Sequence, residues 1–157
     1  MAEHVEPHDL GVLWEPNAPE AVMICAEGSA ALALKAHFDD SDRRCVVLTW
    51  SHTLSACMSA PNDEAIAGHR LYGKGLSEVL WAGLVNDSSA IAEFERQNRV
   101  HTRHNPLRFQ FLQHHILTLK ECVVEAVSEG FSVSRSGGTT IEAATAAMHL
   151  IWQDGPG

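Results

Sequence analysis

Short apolar runs separated by polar turn residues recur along the first third of the chain. Residues 11–14 and 21–26 are apolar and are followed by turn residues, so we interpret both as strands, the first at a sheet edge. Residues 30–37 alternate in a pattern that predicts a strand paired with 21–26 in a hairpin about Gly28. The β-branched run 45–50 predicts an interior strand.

Four more segments have the character of strands. Residues 54–58 follow a polar stretch at 51–53 that is typical of a turn, so we expect this segment to return beside the strand 45–50. Residues 123–133 alternate clearly between apolar and polar positions. The complete set comprises residues 54–58, 78–85, 115–119 and 123–133.

Two segments have helical spacing instead. Asp87, Ser88 and Ser89 supply N-cap chemistry, which predicts a helix near 88–100 that ends about His101. A Gly-rich break then precedes a C-terminal helix near 140–152. Its apolar stripe is expected to pack in the core or, if exposed, to form the seam of a homodimer; the stripe contains Ile141, Thr145, Met148 and Trp152.

This order of elements predicts an α+β protein. Strands come in runs without regular strand–helix alternation, which favours a mainly antiparallel sheet of about six to eight strands over a doubly wound parallel fold. A strongly curved or barrel-like sheet fits the same pattern. No repeat or linker interrupts the chain, so residues 1–157 are expected to form a single globular domain.

Composition and charge narrow the classes of function. Apolar residues make up 45% and charged residues 20% of the chain, as in an ordinary globular protein. The net charge of −9 disfavours nucleic acid as a partner. The N-terminus lacks the features of a signal peptide, no apolar run is long enough for a membrane helix, and the four cysteines are scattered singly. We therefore expect a cytoplasmic protein with no membrane partner and no cofactor.

Histidine is unusually frequent, with ten in 157 residues. Four lie within fifteen positions: His101, His104, His114 and His115. The first two could supply two metal ligands from one turn, whereas the last two point to opposite faces if they lie on a strand. A His-ligated metalloprotein is therefore one alternative, although no recognised metal-ligand spacing is present.

The segment that follows the first predicted helix is rich in hydrogen-bond donors. The planar fork of Arg matches carboxylate or phosphate, so we interpret this segment as a site for an anionic ligand. Ion pairing of the same arginines with Glu93 and Glu95 is the plain structural alternative. The candidate ligand-binding residues are Asn98, Arg99 and Arg103, and the candidate catalytic residues are His101 and His104.

The irregular segment 61–76 is the second candidate. It combines carboxylates, an imidazole, a phenol and cations between glycines, which are the residue types of acid–base catalysis. Here we select His69 and Tyr72 as catalytic and Arg70 and Lys74 as ligand-binding. A solvated loop is the alternative, because no phosphate-loop spacing is present.

We therefore expect a small-molecule-binding domain whose His-, Arg- and Tyr-lined pocket takes an anionic or polar ligand. Acid–base catalysis of lyase or isomerase type is one form of this hypothesis, and whether the protein is an enzyme stays open. A non-enzymatic accessory, inhibitor or immunity protein is the main alternative. Nucleophilic catalysis has less support, because Ser88 and Ser89 are explained by helix capping.

Overall fold

The computed structural model describes residues 2–153. Within them, seven strands form one open antiparallel sheet in the order β1-β5-β6-β7-β4-β3-β2, which confirms the α+β class but not a barrel. The strands are β1 (His4–Pro7), β2 (Val22–Ala26), β3 (Ser29–Leu34), β4 (Cys45–Ser59), β5 (Ala82–Asn86), β6 (Gln113–Thr118) and β7 (Val123–Ser136). The helices are α1 (Ser89–Asn98) and α2 (Thr140–Gln153), with 3-10 helices at Asp63–Gly68, Tyr72–Lys74, Leu76–Glu78 and Pro106–Phe111.

Strands β4 and β7 form the long central pair of the sheet. Their pairing runs from Cys45 opposite Ser136 to Ser59 opposite Val123. The turn expected at 51–53 and the separate strand at 54–58 are therefore wrong, because the chain continues along β7 through a β-bulge next to Thr53. Polar residues resemble a turn in sequence, but here they lie where a strand extends past the core.

The sheet edge beside β5 was missed by pattern analysis. Strand β1 pairs with β5, although its sequence contains proline and charged residues, which is the composition that edge strands tolerate. Residues 11–14, predicted as an edge strand, make only an isolated bridge between Trp14 and Ala36. Trp14 is nonetheless fully buried and packs edge-on against Trp81 at 5.4 Å between ring centroids. The segment is a core-covering loop.

Both faces of the sheet are buried over much of its area. Alternate residues of each strand separate into two sets, as the pleat requires. The face covered by the loop that carries Trp14 includes Leu32, Leu48, Trp50, Leu117 and Val124. On the opposite face, α2 covers Ala33 and Val47. The three 3-10 helices within residues 63–78, which we call the 3-10 segment, cover Val85, Ile116 and Val123.

Helix α2 packs on the sheet through small residues. Its buried side chains include Ala143, Ala144 and Met148. The prediction that the apolar stripe packs in the core is correct for Met148 but wrong for Ile141 and Trp152, which are 64% and 55% exposed. Alanine permits a closer approach to the sheet than the larger side chains that the helical spacing selected. Neither described helix is long and apolar enough to span a membrane.

A substitution at Gly75 can test the close packing of the 3-10 segment against β1. Its φ of 110° favours glycine, and a Cβ there would lie 2.3 Å from the carbonyl oxygen of Val5. We expect Gly75→Ala to lower the free energy of unfolding by at least about 2 kcal/mol. Gly73→Ala, where a Cβ meets no atom within 4 Å, should change it by less than about 1 kcal/mol.

Urea denaturation of both variants measures the difference. Equal stability of Gly75→Ala and Gly73→Ala would contradict the close packing of β1 on this segment.

Candidate functional site

A half-buried carboxylate, Glu125, whose side chain is 19% exposed, lies on the face covered by the 3-10 segment. It sits on β7 opposite Ile116 of β6. Oε1 accepts hydrogen bonds from His114 Nε2 at 2.9 Å and from Arg70 at 3.4 Å, and Oε2 lies 3.6 Å from His69 Nε2. Burial acts to raise the pKa of Glu125, but the His114 hydrogen bond and the adjacent cations outweigh it, so the pKa is lowered. Glu125 is therefore an ionised carboxylate inside the protein.

His114 connects this carboxylate to the start of α1. Its Nδ1 lies 2.7 Å from the hydroxyl oxygen of Ser88, and its Nε2 contacts Glu125. Ser88 is the N-cap of α1, as predicted, and accepts a hydrogen bond from the backbone N–H of Ile91 at 3.2 Å. We call Ser88, His114 and Glu125 the relay. Ser88 and His114 are buried, at 6% and 2% exposure.

The relay ends at a cavity of about 620 Å³, the relay cavity. Ser88 and His114 form part of its wall, together with apolar residues of β5, α1 and the 3-10 helix Pro106–Phe111. Two carboxylates, Asp87 and Glu95, also line it. The hydroxyl of Ser88 is therefore at the boundary between the buried network and a space large enough for a small molecule.

The residues predicted from segment 61–76 are brought together only in part. His69 and Arg70 contact Glu125, and both Arg70 and Lys74 also bind the carboxylate of Glu3, at 3.2 and 3.1 Å. Tyr72 lines a different cavity of about 440 Å³. The two cations expected to bind a ligand are thus paired with carboxylates of the chain.

Glu3 also ties the N-terminal segment to α1. Its Oε2 accepts hydrogen bonds from the backbone N–H of Ser89 at 2.6 Å and from the Ser89 hydroxyl at 2.8 Å. Burial opposes its ionised form, but the hydrogen bonds from Ser89 and Lys74 prevail and lower the pKa of Glu3 to about 2. This carboxylate joins β1, the 3-10 segment and α1.

The segment after α1 forms a third cavity, of about 300 Å³. Leu54 of β4 and Glu129 of β7 are part of its wall. Its remaining apolar lining is Phe109 and Leu112, both of which also line the relay cavity. We call it the donor cavity, because its other polar lining consists of Asn98, His101, Arg103, Asn105 and Arg108.

The neutral side chains of the donor cavity use their acceptor atoms within the protein. Asn98 Oδ1 contacts His104 Nδ1 at 2.8 Å, and Asn105 Oδ1 accepts from the N–H of Leu107 at 3.0 Å. His101 Nδ1 accepts from the N–H of Arg103 at 3.0 Å. What remains for a ligand is the Nδ2 groups of the two asparagines and the Nε2–H of His101.

The cations of the donor cavity differ from the others in the chain. In the region that the structure describes, neither Arg103 nor Arg108 lies within 4 Å of a carboxylate, and neither guanidinium has a protein hydrogen-bond partner. Arg43 also lacks a carboxylate, but it donates to two backbone carbonyls. The paired cations are Lys35, Arg44, Arg70, Lys74, Arg96, Arg99, Lys120 and Arg135.

The other residues predicted from this segment are held by Glu95. Arg99 forms an ion pair with it at 2.7 Å, and His104 Nε2 contacts it at 3.0 Å. His101 and His104 therefore do not converge on one point. Among residues 2–153 no three His, Cys, Asp or Glu side chains are grouped so that they could hold a metal ion.

The two predicted segments line different spaces. Within the described chain, the cavity beside Tyr72 includes no residue of 98–104, and the donor cavity includes no residue of 69–74. The link between them is indirect, through the relay: Glu125 contacts His69 and Arg70, while Ser88 and His114 line the cavity that shares Phe109 with the donor cavity.

Sequence reasoning did not select the members of the relay as a site. The sequence pattern explains Ser88 as a cap, which it is, and makes His114 a candidate metal ligand. The missed signal was Glu125, a charged residue inside an alternating apolar strand. The sequence pattern does not select Arg108 as a ligand-binding residue. Comparison with protein-family models, curated proteins and solved structures found no match to this chain.

His115 points to the opposite face of β6 from His114, as consecutive strand residues must, and is 1% exposed. Its Nδ1 accepts a hydrogen bond from Trp50 Nε1 at 3.3 Å, and its ring lies 4.5 Å from that of Phe131. Burial, reinforced by His8 and His114, lowers the pKa of His115 from 6.5 to about 4. This imidazole is neutral in the folded protein at neutral pH.

The lowered pKa predicts an acid-sensitive fold. Because the unfolded chain binds this proton more tightly, stability should fall as the pH drops from 6.5 towards 4, by about 3 kcal/mol. His115→Gln keeps an acceptor for Trp50 and should flatten this part of the profile. Urea denaturation between pH 4.5 and 7 measures it, with His149→Gln at an exposed position as the control.

A His115→Gln profile as steep as that of the parent would show that another group controls acid stability. The carboxylate Glu3, whose pKa is lowered from 4.5 to about 2, loses its stabilising effect as the pH falls below about 4.5, so its contribution lies mainly below the measured range.

Proposed function

We propose that the protein binds a small ligand with an anionic group and an apolar body in the donor cavity. The observation that carries the proposal is that one cavity is lined by two guanidinium groups that have no carboxylate partner among residues 2–153, and by three further side chains that present donors. Carboxylate and phosphate oxygens accept from such groups, and Arg binds them with two parallel hydrogen bonds.

The apolar part of the lining supports the proposal that the ligand has an apolar body. Leu54, Phe109 and Leu112 offer a surface for a hydrocarbon or aromatic group. The volume of about 300 Å³ lies at the lower end of the range for small-molecule sites. Glu129 is the one carboxylate in the wall and would favour a ligand with a hydroxyl or amine beside its anionic group.

Charge on the rest of the molecule makes this location distinctive. The chain carries a net charge of −9, so an anion is repelled by most of its surface and attracted only where cations are not neutralised. Arg103 and Arg108 provide such a place. The relay cavity, with Asp87 and Glu95 in its wall, does not.

Benzoate and phenyl phosphate are suitable probes, with neutral benzamide as the matched control ligand. We expect both anions, but not benzamide, to shift amide resonances around Asn98 and Phe109 in a ¹H–¹⁵N titration. The double substitution Arg103→Ala and Arg108→Ala should raise the Kd of benzoate at least ~10-fold, since it removes two charged hydrogen-bond donors. Arg96→Ala, which removes a cation paired with Glu93, is the control variant.

Binding that the double substitution leaves unchanged would refute the proposal, as would equal shifts with benzamide.

The narrower expectations of a cytoplasmic location and of a homodimer through α2 stay predictions. Ile141 and Trp152 are exposed on that helix.

A further inference from the structure

We propose that Ser88 is the nucleophile of an ester-hydrolysing site in the relay cavity, with His114 as its base and Glu125 as the group that orients His114. This activity goes beyond ligand binding in the donor cavity, and its central step does not depend on that binding.

The proposal assigns a direction to each hydrogen bond in the relay. The Ile91 N–H donates to the Ser88 oxygen, so the Ser88 hydroxyl proton is free to point to His114 Nδ1. At the other end Glu125 is ionised and can only accept, so His114 Nε2 carries the ring proton. In the tautomer that the proposal requires, Nδ1 is unprotonated and lies 2.7 Å from the hydroxyl oxygen of Ser88. This is the arrangement that activates a serine, with the two imidazole nitrogens in the reverse of their usual roles.

Glu125 makes more contacts than the capping of α1 by Ser88 would require. Arg70 and His69 contact the two oxygens of the carboxylate, and Arg70 is itself fixed by Glu3. An N-cap serine needs only to accept the hydrogen bond from Ile91. A buried imidazole and carboxylate behind it add nothing to that bond and cost desolvation, which is typical of functional sites.

The backbone before Ser88 also indicates a functional turn. Asp87 has a φ of 50°, which is unusual for a residue other than glycine, and it joins β5 to α1. This turn places Ser88 on the cavity wall with His114 behind it.

The two cavities together suggest the class of substrate. Phe109 and Leu112 line both, so one ligand can extend from the relay cavity to the donor cavity. Asp87 and Glu95 disfavour negative charge beside Ser88, whereas Arg103 and Arg108 favour it at the far end. The substrate would be a carboxylic ester with an uncharged reacting group and an anionic terminus. This refinement alone rests on the proposed function.

The reaction would proceed in two balanced steps. The Ser88 oxygen bonds to the acyl carbon while its proton passes to His114 Nδ1, and the bond to the leaving oxygen breaks as that oxygen takes the proton. Water then attacks the acyl-serine, gives its proton to His114, and the Ser88 oxygen leaves with that proton. The products are an alcohol and a carboxylic acid.

Diisopropyl fluorophosphate is the probe for the nucleophile, since a serine oxygen displaces its fluoride. Intact-mass and peptide analysis of the full-length chain should show one adduct, on Ser88. His114→Gln should slow labelling at least ~100-fold and Glu125→Gln at least ~10-fold. Ser88→Gly should abolish it, and glycine retains much of the cap.

Thr139→Gly is the matched control for helix capping, because Thr139 accepts from the N–H of Glu142 at the start of α2 without any histidine behind it. Its labelling rate should stay within ~2-fold of the parent. No adduct on the parent protein, an adduct on another residue, or labelling that survives His114→Gln would overturn the proposal.

A second measurement tests the anion subsite independently of the nucleophile. The ratio of kcat/KM for mono-p-nitrophenyl succinate to that for p-nitrophenyl acetate should exceed one. It should fall at least ~10-fold in the double variant Arg103→Ala and Arg108→Ala. Labelling of Ser88 with no such preference would overturn the substrate class but leave the nucleophile supported, and the benzoate titration decides the donor-cavity proposal separately.

Discussion

The carboxylate of Glu125 lies on a covered face of the sheet, and much of the local structure is arranged to keep its charge paired. A buried charge without partners is strongly destabilising, so the groups that surround it are constrained in position. His114 reaches it from the neighbouring strand, and His69 and Arg70 from the 3-10 segment. Through Ser88 the same constraint extends to the start of α1. One carboxylate thus connects a strand pair, an irregular segment and a helix.

The general fold could be predicted because it depends on local patterns. The apolar run 21–26 predicted β2, alternation in 30–37 and 123–133 predicted β3 and β7, and the cap chemistry at Ser88 predicted α1. The errors arose where tertiary context prevails over local chemistry. The polar residues at 51–53 continue a strand because β7 pairs alongside them, and β1 is a strand only because β5 offers it an edge.

The candidate site was less predictable, for a physical reason. Sequence analysis selects residue types that are close along the chain, whereas the relay joins residues 26 and 11 positions apart across a sheet. It also cannot distinguish a paired cation from a free one. Arg99 and Arg103 are equivalent in the sequence pattern, but Glu95 neutralises the first and the second lines the donor cavity. Donors of the segment around His101 line one cavity, and their role as a ligand site stays a prediction.

The tautomer of His114 tests the central claim most directly, because activation of Ser88 requires Nδ1 to be the acceptor. Two-bond ¹H–¹⁵N correlation spectra of the full-length protein labelled with ¹⁵N-histidine report it, with His114→Gln used to assign the signals. The account predicts a neutral ring that carries its proton on Nε2, in slow exchange with solvent. A ring that carries its proton on Nδ1 would contradict the account, since Ser88 would then accept from His114 and could not transfer a proton to it.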